Sequence, residues 1–191
     1  MTNQRREGWI RPLAGGVKCN VDVTIFKDQG CYGIGIFLRG DRGEFMGAKT
    51  AWYRGLPQPN EAEARGLKEA IKWLGTLRYT SVSIELDCKQ VVDGISSNLN
   101  TNSTFDAILN TCKASLVNHQ NFKITLFRRQ TNNVAHLLAR ASLYYASSQG
   151  HAIIFHLVKK KKTLSAFLGC LFPFQKKTPQ FSIQITHVTN R

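Results

Sequence analysis

Acidic residues are scarce in this 191-residue chain: 12 Asp and Glu stand against 26 Lys and Arg, a formal net charge of +14. No uninterrupted apolar run reaches the roughly 20 residues that a membrane-spanning helix requires. Met1 to Arg11 is polar and charged, without the apolar stretch of a secretory signal, so an intracellular protein of nucleus or cytoplasm is expected. The cysteines Cys19, Cys31, Cys88, Cys112 and Cys170 are irregularly spaced and form no CxxC pair, which argues against a zinc ribbon or a disulfide scaffold. What is present is 42% hydrophobic residues, enough for a packed core, and a positive bias that fits a polyanionic partner.

The charge is unevenly placed. All 12 acids lie between Glu7 and Asp106, whereas residues 150–191 hold seven basic residues and no acid. Half of the net charge therefore belongs to a tail in which apolar stretches alternate with Lys159 to Lys162 and with Lys176 and Lys177. The tail has no helical or strand period over its length, and a basic run is a weak motif. The expected organisation is a lead-in over 1–14, one α/β domain over 15–149, and a poorly structured extension over 150–191.

Within the domain, Val17–Phe26 alternates Val17, Cys19, Val21, Val23 and Ile25 against Lys18, Asn20, Asp22, Thr24 and Phe26, the signature of a strand. Residues 31–38 and 44–53 read as two more strands around the turn Arg39-Gly40-Asp41-Arg42-Gly43. A helix is predicted over 61–77, where Gly66, Leu67, Ala70, Ile71, Leu74 and Leu77 share a stripe. A strand with Val82, Ile84 and Leu86 follows, then helices near 88–95 and 104–118, a strand over 122–127 and a helix over 132–148. Three hairpin-connected strands followed by helix-linked strands predict a mixed sheet with helices packed on it, the fourth strand parallel to the first.

Against this frame the few acids are informative. Asp22 interrupts an apolar strand, where a carboxylate is costly unless paired, hydrogen-bonded or metal-bound. Asp87 closes the fourth strand and, if that strand adjoins the first, approaches Asp22; as an alternative or additional role it is placed to cap the next helix. Glu63 keeps register with the apolar stripe of the first helix, and Glu61 does not. Converging carboxylates repel unless a cation joins them, and oxygen ligands favour a hard ion, Mg²⁺ or Mn²⁺.

Four strings in order over residues 9–140 resemble the plant, retroelement-related domains of the ribonuclease H superfamily. They are Trp9-x-x-Pro12 ahead of Lys18-Cys19-Asn20-Val21-Asp22, then Ala62-Glu63-Ala64-Arg65-Gly66-Leu67-Lys68-Glu69-Ala70, then Glu85-Leu86-Asp87-Cys88-Lys89-Gln90-Val91-Val92, and Arg129-x-x-Asn132-x-x-Ala135-His136-x-Leu138-Ala139. The resemblance implies a five-stranded sheet in the order 3-2-1-4-5. It implies endonucleolytic cleavage of the RNA strand of RNA–DNA hybrids by a monomer, with two divalent ions about 4 Å apart. Asp22, Glu63 and Asp87 would hold the ions. Lys18, Lys89, Arg128 and Arg129 would follow phosphates, and Asn20, Thr24 and Asn132 are the short polar candidates for the ribose side. The sequence departs from the family pattern twice. Val23 stands where Gly usually follows the first Asp, and is expected to narrow the approach of a ligand. His136 stands where the fourth acid is expected, and a neutral imidazole ligates metal or shuttles a proton but adds no negative charge. Both departures keep open a catalytically weak or inactive binding or interaction module.

Overall fold

A computed structural model describes residues 14–79, 81–97, 103–127, 132–145, 152–156 and 184–188. The alternating stretch forms β1 (Val17–Phe26), which runs antiparallel to β2 (Cys31–Arg39); β2 in turn pairs antiparallel with β3 (Phe45–Arg54). The β1–β2 turn closes on Gly30, whose φ of 62° a residue with a Cβ rarely adopts. After α1 (Pro59–Thr76), β4 (Val82–Leu86) lies parallel to β1, as the crossover argument requires. Helices α2 (Lys89–Ser96) and α3 (Thr104–Val117) lead to β5 (Phe122–Leu126), parallel to β4, and α4 (Asn133–Tyr145) follows.

The five strands therefore have the expected order, β3-β2-β1-β4-β5. The 150–191 segment contributes two strands to the β3 edge: β6 (Ala152–His156), antiparallel to β3, and β7 (Gln184–Val188), antiparallel to β6. The rest of 146–191 lies outside the described residues.

Helices α1 and α4 pack on opposite faces of the sheet, and glycines set how closely. On one face, Cys19 and Val21 of β1, Ile34 and Ile36 of β2, and Ile84 of β4 meet Leu67, Ala70, Ile71 and Leu74 of α1, with Leu109 and Cys112 of α3 behind. A methyl on Gly66 would lie 2.7 Å from the Val23 side chain, so the first turns of α1 sit directly on β1. Lys49 of β3 pairs with Glu69 of α1, tying the helix to the far side of the sheet. On the other face α4 lies across β1, β2 and β3. A methyl on Gly33 would lie 2.4 Å from the Ala139 carbonyl oxygen, and one on Gly35 would lie 2.1 Å from that of Ala135. The Gly33-Ile34-Gly35 stretch is thus a floor on which the α4 backbone rests, and Thr50 of β3 fastens it by donating to the Leu138 carbonyl at 2.8 Å.

Candidate metal centre and nucleic-acid face

Three elements bring three acids together. Asp22 belongs to the Lys18–Phe26 side of β1, the face on which α4 lies; Glu63 is in the first turns of α1, held low by Gly66; Asp87 follows directly on β4. One carboxylate oxygen from each lies within 4.8 Å of the other two. Asp22 is buried and the other two are half-buried, so the group opens outward from the sheet. Among the described residues this is the set of His, Cys, Asp and Glu that meets the geometry of a metal site. The donors fit a hard divalent ion: all are oxygens, and three carboxylates at this spacing repel one another unless a cation shares them. Glu61 is not in the cluster, as its helical phase implies. The helix after Asp87 is capped at Cys88, not at Asp87.

His136 completes the arrangement. It lies in the first turn of α4, opposite the Gly35 that pairs with Asp22 across the sheet. Its Nδ1 is 2.9 Å from Oδ2 of Asp22, while about half of its side chain remains exposed. The contact depends on the Gly33–Gly35 floor, since a side chain there would lift α4 from β1. Val23 does not narrow this side. Its side chain faces α1 and packs on Gly66, because residues of a strand alternate between faces.

The sequence profile of the reverse transcriptase-like family matches residues 20–142. The chain belongs to that family. It is thereby placed in the ribonuclease H superfamily, and the solved structures agree. RNase H1 of the halophilic archaeon Halobacterium salinarum superposes with a TM-score of 0.62 at 21% identity, covering 69% of this chain and all of that one. The N-terminal RNase H domain of a Mycobacterium tuberculosis protein gives 0.59 at 19%, covering 69% and 95%. LC11-RNase H1, isolated from compost by a metagenomic approach and crystallised with an RNA/DNA hybrid, gives 0.59 at 16%, covering 67% and 96%. At these identities the likeness is one of fold. No curated protein matches the chain.

In this reverse transcriptase-like domain the polar residues singled out in the sequence divide into buried and exposed groups. Lys18 is buried, paired with Glu85 and set 5.7 Å from the Phe127 ring centre. Asn20, also buried, donates to Oε2 of Glu85 at 2.9 Å, and Arg39 pairs with the same oxygen at 3.2 Å. Lys18 is thus committed to the sheet, not presented to phosphates. Lys89 is exposed and pairs with Asp93 one turn along α2. Thr24 is half-buried on the Asp22 side of β1. Asn132 is buried and donates to the Val21 carbonyl at 2.8 Å, joining the start of α4 to β1. Arg128 and Arg129 lie outside the described residues. Glu85, which organises three of these side chains, was not singled out in the sequence. Its signal was the strand period that puts Ser83, Glu85 and Asp87 on one side of β4. Cys88, beside the acids, is held as a thiol: burial pushes its pKa up, the Val91 and Gln90 amides oppose this, and Glu63 and Asp87 add to it.

Proposed function

We propose that this chain is a metal-dependent endonuclease that hydrolyses the RNA strand of RNA–DNA hybrids, with Asp22, Glu63 and Asp87 holding two Mg²⁺ or Mn²⁺ ions. The observation that carries the reading is the meeting of three carboxylates, from β1, α1 and the end of β4, within 4.8 Å of one another. Bound there, such ions supply an activated water and charge stabilisation at the leaving oxygen. The protein's own residues do the rest. The buried β1 backbone fixes Asp22, and Gly66 holds Glu63 at the sheet. His136 is hydrogen-bonded through Nδ1 to Oδ2 of Asp22 and steadies that carboxylate. Lys89, at the solvent edge, is the described basic candidate for phosphate contact. The test is cleavage of a labelled hybrid with Mg²⁺ or Mn²⁺. The native chain cuts the RNA strand, and Asp22→Asn lowers the rate by about a hundredfold or more.

One observation favours a second reading, a nucleic-acid-binding module with little turnover: the position opposite Asp22 is filled by an imidazole and not by a fourth carboxylate. Absence of cleavage by both proteins, with salt-sensitive hybrid binding retained, would establish this reading in place of the first.

A further inference from the structure

Next to the carboxylates lies a cavity of about 250 Å³ that the cleavage reading does not use. It is lined by Asn20 of β1, Phe37 and Arg39 of β2, Gly43 and Phe45 across the hairpin, and Asn132 to Ala135 at the start of α4. Its position is fixed by the site itself. Asn20 is two residues before Asp22 on the same side of β1, and Asn132 is one helical turn before His136.

The lining combines two chemistries. Phe37 and Phe45 stack on each other with ring centres 5.6 Å apart, and Val134 and Ala135 add apolar surface. The carboxamides of Asn20, Asn132 and Asn133 bring donors and acceptors. Asn132 is 3% exposed, and its orientation is set because Nδ2 donates to the Val21 carbonyl. Among the described residues its Oδ1 is then a buried acceptor without a partner. Buried polar groups are rarely left so, and a ligand donor would satisfy it. Flat apolar walls with amide edges are how proteins hold an unstacked base. Since pockets for drug-sized molecules run from about 300 Å³ upward, this one suits a single small ring system and not a duplex.

We propose that this cavity is a nucleobase pocket, holding one unstacked base with a ring or exocyclic N–H donated to Oδ1 of Asn132. The base comes from a free nucleoside or from an unpaired nucleotide of a bound polynucleotide; only the second source rests on the nucleic-acid reading above. The experiment titrates the ¹⁵N-labelled full chain with adenosine, guanosine, cytidine and uridine at millimolar concentration, with ribose as the control. It also compares hybrids with and without one unpaired nucleotide. At least one nucleoside is expected to shift the amides of Phe37, Phe45 and Asn133 to Ala135 saturably, while ribose does not. Val134→Trp, which fills the cavity from a half-exposed position, should weaken that binding by at least about tenfold, and Asn133→Ala, an exposed change, several-fold. Tighter binding of the hybrid with the unpaired nucleotide, lost in Val134→Trp, assigns the base to the polynucleotide. Equal hybrid affinities with saturable nucleoside binding assign it to the free nucleoside. Absence of saturable shifts with all four nucleosides, or binding unchanged in Val134→Trp, overturns the pocket. Neither result bears on hybrid cleavage, which the Asp22→Asn comparison tests separately.

Discussion

Two residues that read alike in sequence have opposite placements, and this separates stability from binding. Lys18 and Lys89 each stand near one of the acids, yet Lys18 is buried against Glu85 and Lys89 is solvent-exposed. Glu85→Ala leaves the buried Lys18 ammonium beside Arg39 without its counter-charge, and losing one partner of a buried pair costs about 3–5 kcal/mol, read as a lower urea midpoint. Lys18→Met should likewise lower stability while leaving the salt dependence of hybrid binding unchanged. Lys89→Met should do the reverse, lowering the slope of log K against log salt by about one. An altered slope in Lys18→Met would show that its ammonium reaches phosphate after all. At the metal centre, His136→Asp restores a fourth carboxylate beside Asp22. Since affinity for hard cations follows ligand charge, the Mn²⁺ concentration for half-maximal cleavage should fall by about tenfold. An unchanged metal requirement would show that charge at position 136 does not reach the ions held by Asp22, Glu63 and Asp87.

At the scale of elements, the position of α4 decides whether His136 meets Asp22, and that position rests on two glycines of β2. Gly35→Ala would set a methyl 2.1 Å from the Ala135 carbonyl oxygen, a backbone atom that cannot swing away. The helix must lift, at a cost of about 1–3 kcal/mol for overpacking, and hybrid cleavage should fall with it. Gly75→Ala is the control. Its methyl would meet only the His119 ring at 3.0 Å, near the end of α1, and melting should change by less than the equivalent of about 1 kcal/mol. Equal melting of the two variants would remove the floor argument. The strands β1 to β5 and helices α1 to α4 were legible, most clearly where a period shows: two-residue alternation in β1 and β4, and a three-to-four-residue stripe in α1 and α4. The three acids were legible for the same reason, each breaking an apolar pattern at a place where topology brings strands together. The role of Gly33 and Gly35 was not, because a strand glycine is a gap until the helix above it is known. The short strands β6 and β7 were not either, because their pairing depends on the β3 edge and not on any period of their own. Lys18 read as a phosphate contact because a base in a strand gives no sign of its partner, and Glu85 lies 67 residues away.

Over the whole molecule, the protons that folding retains predict how stability responds to alkali. Burial pushes the Cys112 thiol up from 9.0 to about 12, with Lys68 opposing. Burial, then the charge of Glu85, pushes the Cys19 thiol up further. Burial, then Glu69, raises the Tyr53 hydroxyl above its usual range. In each case the folded chain keeps a proton that the unfolded chain releases, so the unfolded state binds fewer protons once pH passes the unfolded value. Stability is then full below about pH 9 and declines as pH rises toward the folded values, by about 1 kcal/mol per pH unit for each buried thiol. A competing effect acts on the same molecule, because a chain of net charge +14 loses self-repulsion as its lysines deprotonate. The two separate by window: the reference value for a thiol, about 8.5, lies below that for an ammonium, so between about pH 9 and 10 the thiol term dominates. Urea midpoints should therefore fall across that window, and fall less steeply in Cys112→Ala. A midpoint that rises through it, or an unaltered slope in Cys112→Ala, would mean that relief of charge repulsion outweighs the buried thiols.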